Sequence, residues 1–254
     1  MTKVEILGVK IDNLSLQEVL EKVGQFSESK NQHFIVTPNP EFLIAGQKDK
    51  KFREILNYAD IACADGMGLI YAADFLEKKL WRITGVDLVW AISELAEQKN
   101  SSIFFLGGEP DIARKTGEIL KQNFPNLLVA GAESGGVIVD PDAEDLELIR
   151  KINNCQPKIL FVAFGQVKQE KWIFSHLDRL PSVKVAIGVG GTFDYISGKI
   201  KRAPEILQEI GLEWLYRLIK DPKRWPRIFN AFVVFPLLIV KSKFFPKNYD
   251  ESEN

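Results

Sequence analysis

The chain has 254 residues, 46% of them hydrophobic and 26% charged, which is the composition of a globular protein with a substantial core. Its formal net charge of −1 argues against a general nucleic-acid-binding protein, so we expect no nucleic-acid partner. Its two cysteines, Cys63 and Cys155, are too few for a disulfide framework or a zinc cluster, and their apolar neighbours predict buried thiols.

The predicted elements alternate between short apolar runs and longer amphipathic segments. In chain order, strands are predicted at residues 33–36, 60–64, 103–106, 127–130, 159–164 and 183–189, and helices at residues 16–26, 41–57, 86–98, 112–123, 143–153 and 169–180. This alternation indicates βαβ units. We therefore expect an α/β fold over residues 1–195, with a mostly parallel, Rossmann-like sheet and helices on both faces. A helical appendage is expected over residues 196–254.

Glycines and small polar residues follow five of the predicted strands. They are Thr37-Pro38-Asn39, Asp65-Gly66, Gly107-Gly108, Gly165-Gln166 and Gly190-Gly191-Thr192. The carboxyl ends of parallel strands meet at one edge of a sheet, where such loops bring backbone N–H groups close to phosphate groups. Together the loops predict a nucleotide site. The sequence has neither a GxGxxG fingerprint nor a P-loop motif, so an NAD site and a P-loop are unsupported.

Three polar residues in these loops are candidates for a direct role in the chemistry. Asp65 follows an apolar strand, where a partly desolvated carboxylate suits a general base that accepts a proton from a hydroxyl nucleophile. It could equally be the N-cap of the next helix. Thr37 and Asn39 could hold a sugar or a phosphate, although residues that flank a proline more often stabilise an Asx-type turn.

One acidic motif resembles a metal site. Asp140-Pro141-Asp142 matches a DxD pattern that can hold a divalent metal against nucleotide phosphates. An aspartate before a proline also starts helices, and we favour that interpretation, so no metal is expected. His33 and His176 are far apart in the sequence and are expected to be structural.

The C-terminal segment is basic and aromatic. From Arg217 to Lys247 it has eight Lys or Arg residues and a single acid. Its apolar run, residues 228–240, has 13 residues and would span about 20 Å as a helix, less than the roughly 30 Å hydrocarbon core of a bilayer. Aromatic residues among cations suit a segment that lies in the headgroup zone of an anionic membrane. Packing on the core, or in an interface of a homo-oligomer, is the alternative. Three arginines could bind a diphosphate or lipid headgroups: Arg217, Arg224 and Arg227.

Seven motifs in one order resemble the WecG/TagA/CpsF glycosyltransferases, glycosyltransferase family 26, over nearly the whole chain. They are TPNPE at 37–41, ADGMG at 64–68, ITGVD at 83–87, FLGG at 105–108, FGQ and KQEKW within 164–172, VGGTFD at 189–194, and AP and GLEWLYR within 203–217. One departure is Gln166-Val167-Lys168, where a proline is expected between the glycine and the lysine of that motif.

The resemblance implies an inverting, metal-independent transfer of N-acetylmannosamine, or its uronic acid, from a UDP-sugar donor. The implied acceptor is N-acetylglucosamine on a polyprenyl diphosphate, undecaprenyl diphosphate, in the synthesis of wall teichoic acid, capsule or a related polysaccharide. No cofactor is expected. The enzyme would be cytoplasmic and peripheral on the inner face of the plasma membrane, which it would contact through the C-terminal tail.

The resemblance also implies roles for individual residues. Asp65 would be the general base, and Thr37, counted with it as catalytic, would line the sugar and acceptor pocket with Asn39 and Gln166. The remaining substrate-binding residues would be Gly107, Gly108, Gly190, Gly191, Thr192, Asp194, Arg217, Arg224 and Arg227. Of these, the turn at 190–192 and Asp194 would hold the uridine nucleotide, and the arginines would close over the site at the membrane.

Two rival functions are weighed against this one. Another nucleotide-sugar enzyme, such as an epimerase or a dehydrogenase, would need the dinucleotide fingerprint that the sequence lacks. A peripheral membrane adaptor without catalysis would explain the tail but not the five polar strand ends.

Overall fold

A six-stranded parallel sheet forms the centre of the molecule. The computed structural model describes residues 3–201, 203–204, 207 and 213–245. The sheet strands are β3 (His33–Val36), β4 (Ile61–Ala62), β5 (Ile103–Gly107), β6 (Val129–Glu133), β7 (Ile159–Ala163) and β8 (Val185–Gly188), in the order β4-β3-β8-β7-β5-β6. A separate antiparallel hairpin, β1 (Lys3–Ile6) and β2 (Val9–Asp12), precedes it. The predicted α/β fold with a parallel sheet is confirmed.

Helices cover both faces of the sheet. They are α1 (Leu16–Phe26), α2 (Pro40–Lys48), α3 (Lys50–Tyr58), α4 (Met67–Phe75), α5 (Gly85–Gln98), α6 (Ile112–Asn123), α7 (Leu146–Cys155), α8 (Lys168–His176) and α9 (Thr192–Ile196). Because successive strand residues point to opposite faces, each strand contributes to two cores. In β5, Ile103 and Phe105 pack with α1, α5, α6 and α9, whereas Phe104 and Leu106 pack with α2, α3, α4, α7 and α8.

Three predicted helices differ from the observed ones. The helix predicted at 169–180 ends at His176 and is followed by a 3₁₀ turn, Leu177–Arg179. In the other two, an aspartate side chain sets the boundary. The predicted helix at 41–57 is two helices, because Asp49 has an extended backbone and its carboxylate caps α3 by accepting from Phe52 N–H at 3.0 Å. The predicted helix start at Asp140 is wrong. Asp140 accepts from Asp142 N–H at 3.0 Å in a local turn, and α7 begins later, capped by Asp145.

The cysteine prediction holds for one thiol only. Cys63 is buried, but Cys155, the last residue of α7, is exposed. Two elements have no counterpart in the prediction. The hairpin strands, KVEI and VKID, alternate polar and apolar residues, but each alternation covers only four residues and was not recognised as a strand. Helix α4 is apolar on most of its sides and has no clear periodic pattern.

The C-terminal segment is helical and contacts the core. It comprises α10 (Glu213–Lys220), a 3₁₀ turn (Pro222–Arg224), α11 (Trp225–Phe229), a π-helical turn (Asn230–Val234) and α12 (Phe235–Phe244). Phe235 and Ile239 are 2% and 3% exposed and join the core cluster that contains α2 and α4. Within the described ranges, every helix is too short or too polar to cross a bilayer.

Candidate functional site

The carboxyl ends of five neighbouring strands form one edge of the sheet. The strands β4, β3, β8, β7 and β5 are all parallel, so the loops that follow them leave on the same side. The structure thus gathers the strand-end residues predicted from the sequence at this edge: Thr37, Asn39, Asp65, Gly107, Gly108, Gln166, Gly190, Gly191 and Thr192.

Asp65 lies at this edge, three residues after β4 ends at Ala62, and is partly buried. Its N–H donates to the Pro38 carbonyl at 2.8 Å, which ties its loop to the loop after β3. Gly66, with φ of 92°, occupies the N-cap position of α4, and no side chain caps that helix from there. The alternative interpretation of Asp65 as the helix N-cap is therefore wrong.

Two residues flank Asp65 in space. Burial raises the pKa of the Cys63 thiol, and the Asp12 and Asp65 carboxylates raise it further, so this thiol is not a nucleophile at neutral pH. Arg82 runs beside Ala64 in an isolated parallel bridge, so a cationic residue lies next to the strand that carries Asp65. The sequence analysis missed Arg82, because it lies in an irregular segment 17 positions beyond Asp65.

Thr37 and Asn39 serve the architecture of the edge. Thr37 is 4% exposed, and its hydroxyl donates to the Gly188 carbonyl at 2.9 Å, which joins the ends of β3 and β8. The Asn39 side-chain oxygen accepts from Glu41 N–H at 2.9 Å and Phe42 N–H at 3.2 Å, so it caps α2. The predicted Asx-type turn is thus observed at Asn39, whose amide nitrogen is the part of the side chain suited to a ligand.

Gly107 and Gly108 bring two strands into close contact. A Cβ on Gly107 would lie 2.6 Å from the carbonyl carbon of Ala163, so a larger residue would push β5 away from β7. Gly108 N–H donates to the Ala163 carbonyl at 3.2 Å. Packing between strands therefore accounts for a glycine at position 107 without a ligand.

The turn after β8 uses much of its own hydrogen-bonding capacity. Gly190 N–H donates to Gln169 Oε1 at 2.9 Å, and the buried Thr192 hydroxyl donates to the Val189 carbonyl at 2.6 Å. Asp194 is paired with Lys199, at 3.3 Å between Oδ1 and Nζ, and Gly191 lies between these groups. The protein's own contacts thus hold the turn in its conformation.

An arginine of the tail reaches the same edge. Arg227 forms a forked ion pair with Glu41, with Nε to Oε1 at 2.9 Å and Nη2 to Oε2 at 2.6 Å. Its Nη2 also donates to Gln166 Oε1 at 3.4 Å. Hydrogen bonding to Glu41 raises the pKa of the Arg227 guanidinium, so it stays charged. The side chains of Arg217 and Arg224 lie outside the described part of the structure.

Glu41 is a site residue that the sequence analysis missed. Its carboxylate is only 13% exposed and lies in the first turn of α2, where a negative charge is favoured. Its partner is 186 residues away in the chain. Its place in the TPNPE motif and at a helix start were the available signals, and neither points to a tail contact.

The DxD motif is engaged by protein groups. Asp142 accepts from Lys51 Nζ at 2.7 Å and from Ser175 Oγ at 2.6 Å, and these hydrogen bonds lower the pKa of its carboxyl. Across the described residues, no group of three or more histidine, cysteine or acidic side chains is arranged to hold a metal. The histidines are structural, as predicted, with His33 bonded to Asp60 and Ser29 and His176 bonded to backbone carbonyls.

The family model for the glycosyl transferase WecG/TagA/CpsF family matches residues 4–249, almost the whole chain. The chain belongs to this family. It is therefore an enzyme, a glycosyltransferase, and the function inferred from its motifs is confirmed at that level.

Curated relatives of this WecG/TagA/CpsF glycosyltransferase cover nearly its full length. Two of them come from Staphylococcus aureus, strains MRSA252 and MW2, and both carry the name N-acetylglucosaminyldiphosphoundecaprenol N-acetyl-beta-D-mannosaminyltransferase. Each is 34% identical over 244 residues, which is 95% of this chain and 93% of the relative. The match covers both the α/β core and the C-terminal segment.

Proposed function

We propose that this glycosyltransferase moves N-acetylmannosamine, or its uronic acid, from UDP to N-acetylglucosamine on undecaprenyl diphosphate. The transfer is inverting and needs no metal, and it takes place at the cytoplasmic surface of the plasma membrane in the synthesis of wall teichoic acid or a related polymer. The names of the S. aureus relatives support the sugar and the acceptor.

One observation carries the chemistry: Asp65 is partly buried at the edge where five strands end, and it is not the cap of α4. In this proposal its carboxylate takes the proton from the acceptor hydroxyl while that oxygen attacks C1 of the donor sugar. The bond from C1 to the diphosphate breaks on the opposite face, so the configuration inverts and UDP leaves with the bonding electrons. A general base at the nucleophile contributes typically 10²–10⁴-fold in rate.

The negative charge that grows on UDP needs stabilisation by the protein. Arg227 is a cation of the tail that lies at the edge, next to Glu41 and Gln166, and Arg217 and Arg224 belong to the same segment. A guanidinium is suited to a diphosphate because its planar fork of donors matches two phosphate oxygens. The engagement of Asp142 by Lys51 and Ser175 supports a reaction in which the DxD motif holds no metal.

The exposed face of the tail supports the membrane assignment. Five apolar residues recur at intervals of three or four along the helical segment and are each at least 40% exposed: Phe229, Val233, Leu237, Val240 and Phe244. They lie on the side away from Phe235 and Ile239, which pack on the core. An apolar stripe flanked by lysines suits a helix that lies in the headgroup zone of an anionic bilayer.

The proposed base is tested with Asp65→Asn. Purified variants receive UDP-N-acetylmannosamine and a lipid-diphosphate N-acetylglucosamine acceptor, with and without EDTA, and disaccharide formation and UDP binding are measured. We expect transfer to fall by about 10²–10⁴-fold with UDP binding retained, because the amide cannot take the proton. Asp74→Asn, on the exposed face of α4, is the matched control.

Two outcomes contradict the proposal. Transfer at the wild-type rate by Asp65→Asn removes Asp65 from the role of base. Loss of wild-type transfer in EDTA, restored by a divalent metal, refutes the metal-independent reaction.

A further inference from the structure

Two polar side chains are buried beneath the site edge. Gln169 and Glu170 lie in the first turn of α8, and both are 0% exposed, although such residues are rarely buried without partners. Glu170 Oε2 accepts from Val167 N–H at 2.8 Å, and Oε1 accepts from Gln169 Nε2 at 2.6 Å. Gln169 Oε1 accepts from Gly190 N–H at 2.9 Å. This chain of three hydrogen bonds joins the loop after β7 to the turn after β8.

The loop after β3 joins the same unit through Gly188. The Gly188 carbonyl accepts from the Thr37 hydroxyl at 2.9 Å. A Cβ on Gly188 would lie 2.6 Å from Glu170 Oε1 and 2.8 Å from Gln169 Nε2. Residue 188 is therefore a glycine because the buried pair fills the space where its side chain would be.

Helix capping explains only part of this arrangement. A glutamate at the third helical position often accepts from the N–H before the helix, as Glu170 does with Val167. Capping needs neither full burial nor the bond from Gly190 to Gln169. Burial also raises the pKa of Glu170 to about 8, a cost that a solvent-exposed cap would not carry.

The loop held by Glu170 is strained. Val167 has φ of 71°, which a β-branched residue rarely adopts, and it directly follows Gln166. Strained backbone persists only where surrounding contacts over-determine it, and it concentrates at functional sites. Here the contact is the hydrogen bond from Val167 N–H to the buried Glu170 carboxyl.

We propose that Gln169 and Glu170 are positioning residues, which set the relative positions of three loops of the site. These loops carry Gln166, the turn at residues 190–192, and Thr37. The pair itself is sealed from solvent and touches no reactant. This inference rests on the proposed function for its effect on transfer, but its structural part stands on hydrogen bonds that can be measured separately.

The test uses a single substitution and its reciprocal swap. Glu170→Gln offers one side-chain oxygen where the carboxyl offered two, so either Val167 N–H or Gln169 Nε2 loses its acceptor. In the double variant Gln169→Glu/Glu170→Gln, the new glutamine can accept from Val167 and donate to the new glutamate, which accepts from Gly190. All three hydrogen bonds are then restored with the carboxyl moved by one residue. Glu94→Gln, exposed on α5, is the control.

Transfer kinetics, UDP binding by calorimetry and amide hydrogen exchange are measured at a temperature where all variants are folded by circular dichroism. We expect Glu170→Gln to lower kcat/KM for the donor by about 10- to 100-fold and to speed exchange at Val167 and Gly190. A single misplaced loop is sufficient to cause a loss of this size. The double variant should therefore recover kcat/KM to within about threefold of wild type, because the swap restores the hydrogen bonds that position the loops.

The possible outcomes distinguish the positioning role of Gln169 and Glu170 from the proposed function. Unchanged exchange and unchanged kcat/KM in Glu170→Gln overturn the positioning role, as does a folded swap variant as defective as the single one. If the wild-type protein neither transfers the sugar nor binds UDP, the proposed function is overturned. If exchange is nevertheless faster in Glu170→Gln and is restored by the swap, the connection between the loops still stands.

Discussion

Asp65 and Glu170 are two carboxyl groups near one sheet edge with different environments. Asp65 is partly open to solvent, whereas Glu170 is fully enclosed. A sequence motif identifies Asp65 because it follows a strand, where ligands bind in parallel sheets. Glu170 was not predicted, because its burial depends on Gly188 and Gly190, which come from a strand end about 20 positions later in the chain.

Glu170 makes the stability of the fold depend on pH. Burial raises its pKa from 4.5 to about 8, so between these values the folded state binds a proton that the unfolded chain has released. This contribution to stability is fully present below about pH 4.5 and is lost as the pH rises through about 8. The free energy of unfolding therefore falls by up to about 1.4 kcal/mol per pH unit across this window.

Urea denaturation of wild type and Glu170→Gln between about pH 5 and pH 7.5 checks this prediction, since the variant has no titrating group at this position. The slope of unfolding free energy against pH should be flatter in Glu170→Gln than in wild type, whatever the absolute stability of the variant. Parallel slopes in the two proteins would show that Glu170 is ionised in the fold.

The secondary-structure elements divide into those with a local sequence signal and those without one. The predicted bounds of β3, α1 and α6 match the structure, because each has a strong apolar pattern with polar or turn residues at its ends. The hairpin strands alternate polar and apolar residues over only four positions each, and α4 has no periodic pattern. Contacts between distant elements carry no periodic signal at all, and the docking of the tail on α2 is the main example here.

The tail is attached to α2 by the ion pair between Arg227 and Glu41, and this attachment can be tested. Glu41 is 13% exposed and accepts a forked contact, whereas in another tail-to-core pair, Lys243 with Glu77 at 3.6 Å, the glutamate is 88% exposed. Exposed ion pairs contribute little to stability, whereas forked pairs with a largely buried carboxylate contribute more.

We expect Glu41→Gln to weaken docking of α11 by about 1 kcal/mol and Glu77→Gln to have no measurable effect, because only the first pair is forked and has a largely buried carboxylate. Hydrogen exchange of the segment at residues 222–234 measures docking directly. A double-mutant cycle with Arg227→Gln isolates the pair. A coupling energy indistinguishable from zero would mean that apolar packing by Phe235 and Ile239 alone holds the tail.

At the scale of the whole molecule, the exposed aromatic surface is unevenly distributed. Beside the tail stripe (Phe229, Val233, Leu237, Val240 and Phe244), Lys243 connects α12 to α4: its Nζ donates to the Phe75 carbonyl at 2.7 Å and lies 4.5 Å from the Phe75 ring centre. Tyr71, one turn earlier on α4, is 56% exposed. The same helix begins two residues after Asp65, so one short element connects the candidate base to the surface that we propose binds the membrane.

A second exposed aromatic pair provides a control for membrane binding. Tyr58 and Phe174 are in edge-to-face contact and are 70% and 42% exposed. Tyr58 ends α3 just before β4 begins, so it lies toward the sheet edge opposite the site. If any exposed aromatic group sufficed for adsorption to lipid, this pair would contribute as much as the tail stripe.

We expect the triple variant Phe229→Ser/Leu237→Ser/Phe244→Ser to lose most of its binding to anionic vesicles in co-sedimentation, and Tyr71→Ser/Phe75→Ser to lose part of it. Tyr58→Ser/Phe174→Ser should bind like wild type, because its apolar groups face away from the bilayer. Binding of wild type should also decline with added salt, since the lysines beside the stripe act on lipid charge. Equal vesicle binding by the stripe and control variants would contradict the membrane role of the stripe. A shift from oligomer to monomer in the triple variant would then show that the stripe forms a contact between copies of the chain.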